Sequence, residues 1–127
     1  MASYLELINP ANGEKFRELP YHNWDEVESL LVKAGNTQKQ WKKTEISERI
    51  QLVKAAMDYF RENKHSLAED ITQQMGKPIS QSMNEVMGMI HRAEVCCDLA
   101  EDALKDIILP ETDGLRRFIK REPLGVV

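Results

Sequence analysis

The amino-acid sequence predicts a mainly α fold, about four helices with short β hairpins at both ends. Three observations point there. Between residues 25 and 104, apolar side chains recur at spacings of three and four, the period of a helix with one buried face. Outside that stretch, short apolar runs flank the turn signals Asn12-Gly13 and Glu111-Thr112-Asp113-Gly114. The helical segments are separated by capping and breaking residues rather than by long polar linkers.

The first hairpin pairs Tyr4 to Ile8 with a strand through Lys15, Phe16 and Arg17 to Leu19, stopped by Pro20. Both Asn12 and Gly13 tolerate positive φ. Two strands alone are marginal in water, so this hairpin needs a surface to pack on. The first helix is expected to open at Asp25, with Glu26 and Glu28 complementing the positive end of its dipole. Val27, Leu30, Leu31, Ala34 and Trp41 share one face, and Gly35-Asn36 weakens the middle. Lys39, Lys42 and Lys43 suit its carboxyl end.

Thr44 is the expected N-cap of the second helix, in which Ile46, Ile50, Val53, Met57 and Phe60 form a stripe. Ser66-Leu67-Ala68-Glu69 reads as a capping box opening a third, short helix with Leu67, Ile71 and Met75 inward. Gly76 ends it as a left-handed cap and Pro78 forbids continuation. Ser82-Met83-Asn84-Glu85 reads as a second capping box near the start of the fourth and longest helix. Its stripe is Met83, Val86, Met87, Ile90, Ala93, Cys97, Ala100 and Leu104. Next come a strand over Asp106–Pro110, a turn over 111–114 and a return strand over Leu115–Arg121. Leu124-Gly125-Val126-Val127 then reads as the opening of a buried strand.

Composition excludes several function classes. With 42% hydrophobic and 30% charged residues, the 127-residue chain is compositionally an ordinary globular protein. No apolar run approaches the ~20 residues of a membrane span. A net charge of −4 disfavours a general nucleic-acid binder. The first residues lack the basic and apolar regions of a signal peptide, so a cytoplasmic location is expected.

Few residues offer chemistry. Cys96 and Cys97 are adjacent, in neither a disulfide framework nor a zinc spacing. They stand among Glu94, Asp98, Glu101 and Asp102, and acidic neighbours oppose thiolate formation. Cys97 falls on the apolar stripe, as a small hydrophobe would. A redox sensor built on the two is the least favoured reading. His22, His65 and His91 are not spaced for a helical metal site, so no metal is expected. Gly76-Lys77 follows a helix, whose carboxyl end repels phosphate. Met83, Met87 and Met89 pack the core or line a pocket for varied apolar groups. Residues 94–113 hold seven acids against Lys105, while 115–121 hold Arg116, Arg117, Lys120 and Arg121. That contrast is either a solvated face beside a protected edge strand or a docking surface.

Taken in order, the motifs resemble those of aldehyde dehydrogenases. Ile8-Asn9-Pro10-Ala11-Asn12-Gly13-Glu14 is similar to that family's opening segment. Trp41, Thr44 and Glu48-Arg49 resemble its second-helix start. Glu69-Asp70-Ile71-Thr72 with Met75-Gly76-Lys77-Pro78-Ile79, Glu85-Val86, and Arg121-Glu122-Pro123-Leu124-Gly125-Val126-Val127 follow at family spacing. Met75–Ile79 and Cys97-Asp98-Leu99-Ala100-Glu101 most resemble the succinate-semialdehyde dehydrogenase-like branch.

The resemblance implies a piece of the α/β aldehyde dehydrogenase fold. It also implies oxidation of an aldehyde to an acid with NAD or NADP, through a thiohemiacetal on a cysteine. The family's cysteine, glutamate and asparagine follow the segment matched by Leu124–Val127, so no catalytic or cofactor-binding residue carries over. The expected organisation is a hairpin over 1–22, a helical layer over 23–105, a hairpin of oligomerisation type over 106–122, and the start of a cofactor-domain strand over 123–127. Ser82, Val86 and Met89 are candidates for a substrate-tunnel wall. Arg116, Phe118 and Lys120 are candidates for an oligomer interface. The expected function is an N-terminal fragment of an NAD(P)-dependent aldehyde dehydrogenase, inactive alone and binding no cofactor itself. Its partners are then the remainder of the enzyme or another subunit, in a homo-oligomer. The rival is a self-associating or docking helical module without activity.

Overall fold

A computed structural model describes residues 4–127. The order is β1 (Tyr4–Ile8), β2 (Lys15–Pro20), α1 (Trp24–Trp41), α2 (Ile46–Glu62), α3 (Lys64–Met75), α4 (Ile79–Ala103), β3 (Ile107–Thr112) and β4 (Leu115–Ile119). The strands form two separate antiparallel pairs, β1 with β2 and β3 with β4. This is the predicted architecture, with different element boundaries.

The core is a three-helix cluster in which α4 packs against both α2 and α3. Met57, Ala68, Val86 and Ile90 are buried at its centre, ringed by Phe60, Leu67, Ile71, Met83 and Ala93. The stripes read from periodicity supply nearly all of these residues. Ala68 was not among them: it is buried at 0% exposure in the cluster, and close packing there leaves little room for a longer side chain. Arg61 bridges α2 to Glu94 of α4 at 2.5 Å, and Lys54 reaches Asp98 at 3.4 Å.

Four caps differ from expectation. α1 opens one residue earlier, on a capping box of Asn23 and Glu26: each side chain accepts from the other's backbone amide, at 2.9 and 2.8 Å. Ser66 is no N-cap, because α3 starts at Lys64 and Asn63 serves as the C-cap of α2 and the N-cap of α3. Ser82 is no N-cap either. Pro78, with φ −58, starts α4 immediately, and its carbonyl accepts from Ser82 N–H at 3.1 Å. Thr44 also lies outside its helix; Glu45 occupies the N-cap of α2 without a side-chain bond.

The hairpins differ in their turns. In the first, Asn9 and Glu14 close a longer loop and only Gly13 takes positive φ. In the second, Thr112 pairs with Leu115 across Asp113-Gly114, both at positive φ, as a two-residue mirror-image turn requires. β3 therefore runs through Pro110 to Thr112, and β4 ends at Ile119 rather than Arg121.

Candidate functional site

The elbow between α3 and α4 is the best-built feature. Gly76 caps α3 at φ +69, its N–H donating to the Thr72 carbonyl at 2.9 Å. A Cβ at that position would meet Pro10 Cγ at 2.8 Å, so the tip of the first hairpin seats on the elbow. Arg17 adds a 3.5 Å contact to Asp70 of α3. Lys77 pairs with Glu85 across the turn. Beneath it, the Ser82 hydroxyl shares a 2.9 Å hydrogen bond with that of Thr72. Ser82 is fully buried, so this bond offsets the cost of desolvating both hydroxyls.

The three wall candidates therefore separate. Ser82 and Val86 face into the helix cluster, at 0% and 4% exposure, and act as core contacts of this chain. Met89 is on an open flank of α4. The methionines do not form one face: Met87 and Met89 are two residues apart, roughly 200° around the helix. Cys96 is exposed and Cys97 buried, and neither is in a disulfide. His91 lies on a polar hollow with Lys54, Asp58, Glu94 and Asp98. Among the described residues no three His, Cys, Asp or Glu side chains converge as metal ligands.

The second hairpin stands apart from the helix cluster, and every residue of β3 and β4 is exposed. Ile108 pairs with Phe118 on one face, while Ile107 pairs with Ile119 on the other. Both faces are thus partly apolar. Arg117 is spent internally, donating to the Pro110 carbonyl at 2.8 Å and Thr112 Oγ1 at 2.7 Å. Lys120 pairs with Glu122 at 3.0 Å. Lys120 therefore holds the Glu122 carboxyl below its ordinary range, with a smaller contribution from Lys42. Glu122 in turn raises Lys120.

Arg49 organises the corner between α1 and α2. Its Nη2 donates to the carbonyl of Thr44 at 2.7 Å and that of Lys42 at 3.4 Å. Its guanidinium lies 5.5 Å from the centre of the Trp41 ring, within cation–π range. The motif Trp41–Thr44–Arg49 is therefore one physical unit. The arginine holds the bend that the threonine was expected to cap.

Comparison with known proteins gives one consistent answer. The family model described as "Aldehyde dehydrogenase family" matches residues 2–127. A succinate semialdehyde dehydrogenase [NAD(P)+] of Escherichia coli K12 is 34% identical over 128 aligned positions, covering 99% of this chain and 27% of the relative. The mitochondrial methylmalonate-semialdehyde dehydrogenase [acylating] of Arabidopsis thaliana is 26% identical, covering 98% of this chain and 21% of the relative. The crystal structure of a Streptococcus pyogenes succinic semialdehyde dehydrogenase in complex with NADP+ superposes with a TM-score of 0.80 at 24% identity. The match covers 89% of this chain and 25% of that one. The chain thus spans about a quarter of the length of these proteins.

Proposed function

The chain belongs to the aldehyde dehydrogenase family, and on that footing we propose that it is the N-terminal portion of an NAD(P)-dependent enzyme oxidising an aldehyde to its acid, succinate semialdehyde being the candidate substrate. By itself the portion is inactive. Its role is to present the helical layer and second hairpin to the remainder of the enzyme or to another subunit of a homo-oligomer. The supporting observation is surface. The chain exposes 10398 Å2, whereas a compact monomer of its 14.6 kDa mass exposes roughly 6,900 Å2. Much of the difference is apolar: Trp24, Leu31, Ile108, Leu115 and Leu124 all lie open.

That this portion binds no cofactor by itself is supported by where its glycines lie. A dinucleotide site needs a glycine turn between a strand and the start of a helix. Gly13 and Gly114 lie in hairpin turns, Gly76 caps a helix end beneath Pro10, Gly35 and Gly88 are within helices, and Gly125, at φ +108, follows β4 with no helix after it among the described residues. β2 does lead into α1, but through Tyr21-His22-Asn23, without glycine. No step of the reaction is assigned to these residues. In the proposed enzyme Met89 lines the substrate tunnel, while Ser82 and Val86 hold α4 behind it. Arg116, Phe118 and Lys120 lie in the oligomer interface. Among the described residues no helix is long and apolar enough to cross a membrane.

The test is to incubate the pure chain with NAD+ or NADP+ and succinate semialdehyde while following absorbance of the reduced nicotinamide. No turnover is expected. Sustained reduction of either nucleotide would refute inactivity. The second reading is an autonomous module that self-associates, favoured by the uncovered hairpin. It predicts a stoichiometric assembly of the chain alone, whereas the enzyme-portion reading predicts a defined complex only with the remainder of such an enzyme.

A further inference from the structure

On a chain of net charge −4, one hollow gathers positive charge. It lies where the segment leaving β4 crosses the α1–α2 corner and the end of α4. Its walls are the cations Lys42, Arg49, Lys120 and Arg121, the single carboxylate of Glu122, and apolar Ile46, Leu104 and Pro123. The cavity measures about 390 Å3.

Three features set it apart from an ordinary basic patch. Lys120 alone is in a direct ion pair, with Glu122, which Lys42 also feels more weakly; the described ion pairs include none to Lys42, Arg49 or Arg121. The α2 helix starts at this wall with Ile46, and its N-cap makes no side-chain bond. The positive end of its dipole therefore faces this corner, offset in part by Glu48. Finally, like charges held in one concavity repel, and a bound anion relieves that repulsion. The apolar floor gives such an anion a body to bury.

We propose that this hollow binds a small organic oxyanion, a phosphate or carboxylate on a compact apolar body. Lys42 and Arg121 hold the charged group, and Ile46, Leu104 and Pro123 receive the apolar part. Arg49 keeps the corner closed through its two carbonyl contacts, and its buried Nε makes no hydrogen bond among the described residues. The inference does not depend on the enzyme role above: the site belongs to this chain alone and lacks a dinucleotide's glycine turn.

The experiment is a two-dimensional amide NMR titration of the full chain with phenyl phosphate, benzoate and neutral phenol. Phenyl phosphate or benzoate should shift amides of residues 46–49 and 120–122 saturably, and the tighter of the two identifies the charged group. Phenol should not. Lys42→Ala with Arg121→Ala, both at exposed positions, should weaken binding about tenfold at unchanged helicity by circular dichroism. Glu122→Gln removes the internal competitor and should tighten binding a few-fold. No saturable shift with either anion overturns the proposal, as does equal affinity in the double variant or equal binding of phenol.

Discussion

At Gly76 two constraints meet. The backbone turns left-handed to end α3, and Pro10 sits where a side chain would begin. Gly88 is the opposite case, in the interior of α4 with open space around its missing Cβ. The same substitution should therefore act with opposite signs. Gly76→Ala should destabilise by about 1–3 kcal/mol, and Gly88→Ala should stabilise by about 0.5–1 kcal/mol. Urea unfolding of the two variants checks both. The first site was legible in sequence as a cap. Its second constraint was not, because Pro10 is remote in the chain.

Glu122 allows a sharper test. Its carboxyl is held below the ordinary 4.5, so any stability it contributes is complete above that value and is lost as pH falls through its lowered folded value. Lys120, raised above 10.5, contributes fully below that value and loses its contribution as pH rises through its folded value. Carbon-detected NMR titration should give Glu122 a midpoint below 4.5. In Lys120→Met the midpoint should move back toward it. An unmoved midpoint would mean that Lys120 is not the cause.

Among the elements, α1 and α4 are a contrast. α4 buries Ser82, Val86, Ile90 and Cys97, whereas α1 runs 18 residues with none buried. An isolated helix of that length is marginal in water. Hydrogen exchange should find amides near Ile90 protected to the level of global unfolding and those of α1 exchanging far faster. Equal protection would show α1 to be held by contacts not seen here. Its stripe of Val27, Leu30, Leu31, Ala34 and Trp41 was legible as a stripe, yet the described residues leave it largely open: Leu30 and Leu31 are exposed, Val27 and Ala34 half-buried, and Trp41 meets only the Arg49 guanidinium and the edge of a hollow shared with Val126. Periodicity reports that a face is apolar; it does not report what packs there. Capping signals were less reliable for a related reason. Ser66 and Ser82 satisfied the pattern of a cap, but Asn63 and Pro78 had already started the helices upstream.

For the whole molecule, the excess of exposed surface is the dominant fact. Among the described residues the buried hydrophobics are only Met57, Ala68, Val86, Ile90 and Cys97. A core of that size stabilises weakly, since burying one such side chain is worth about 1.5–3 kcal/mol. The isolated chain should therefore bind a hydrophobic dye at micromolar concentration and lose that binding when the remainder of such an enzyme is added. A dye-silent monomer would sink the view that this surface needs a cover.

The sequence by itself determined the element types and order, the inward stripes of α2 and α4, the cap at Gly76, and family membership through ordered motifs. These depend on near neighbours, on periodicity or on spacing, all of which lie along the chain. Only the tertiary structure decided that Ser82 turns inward to Thr72, that Arg49 rather than Thr44 secures the α1–α2 corner, and that Lys42, Lys120 and Arg121 share one hollow. Those outcomes depend on distances between residues far apart in sequence, which the packing of α4 against α2 and α3, and the path of the chain after β4, fix together.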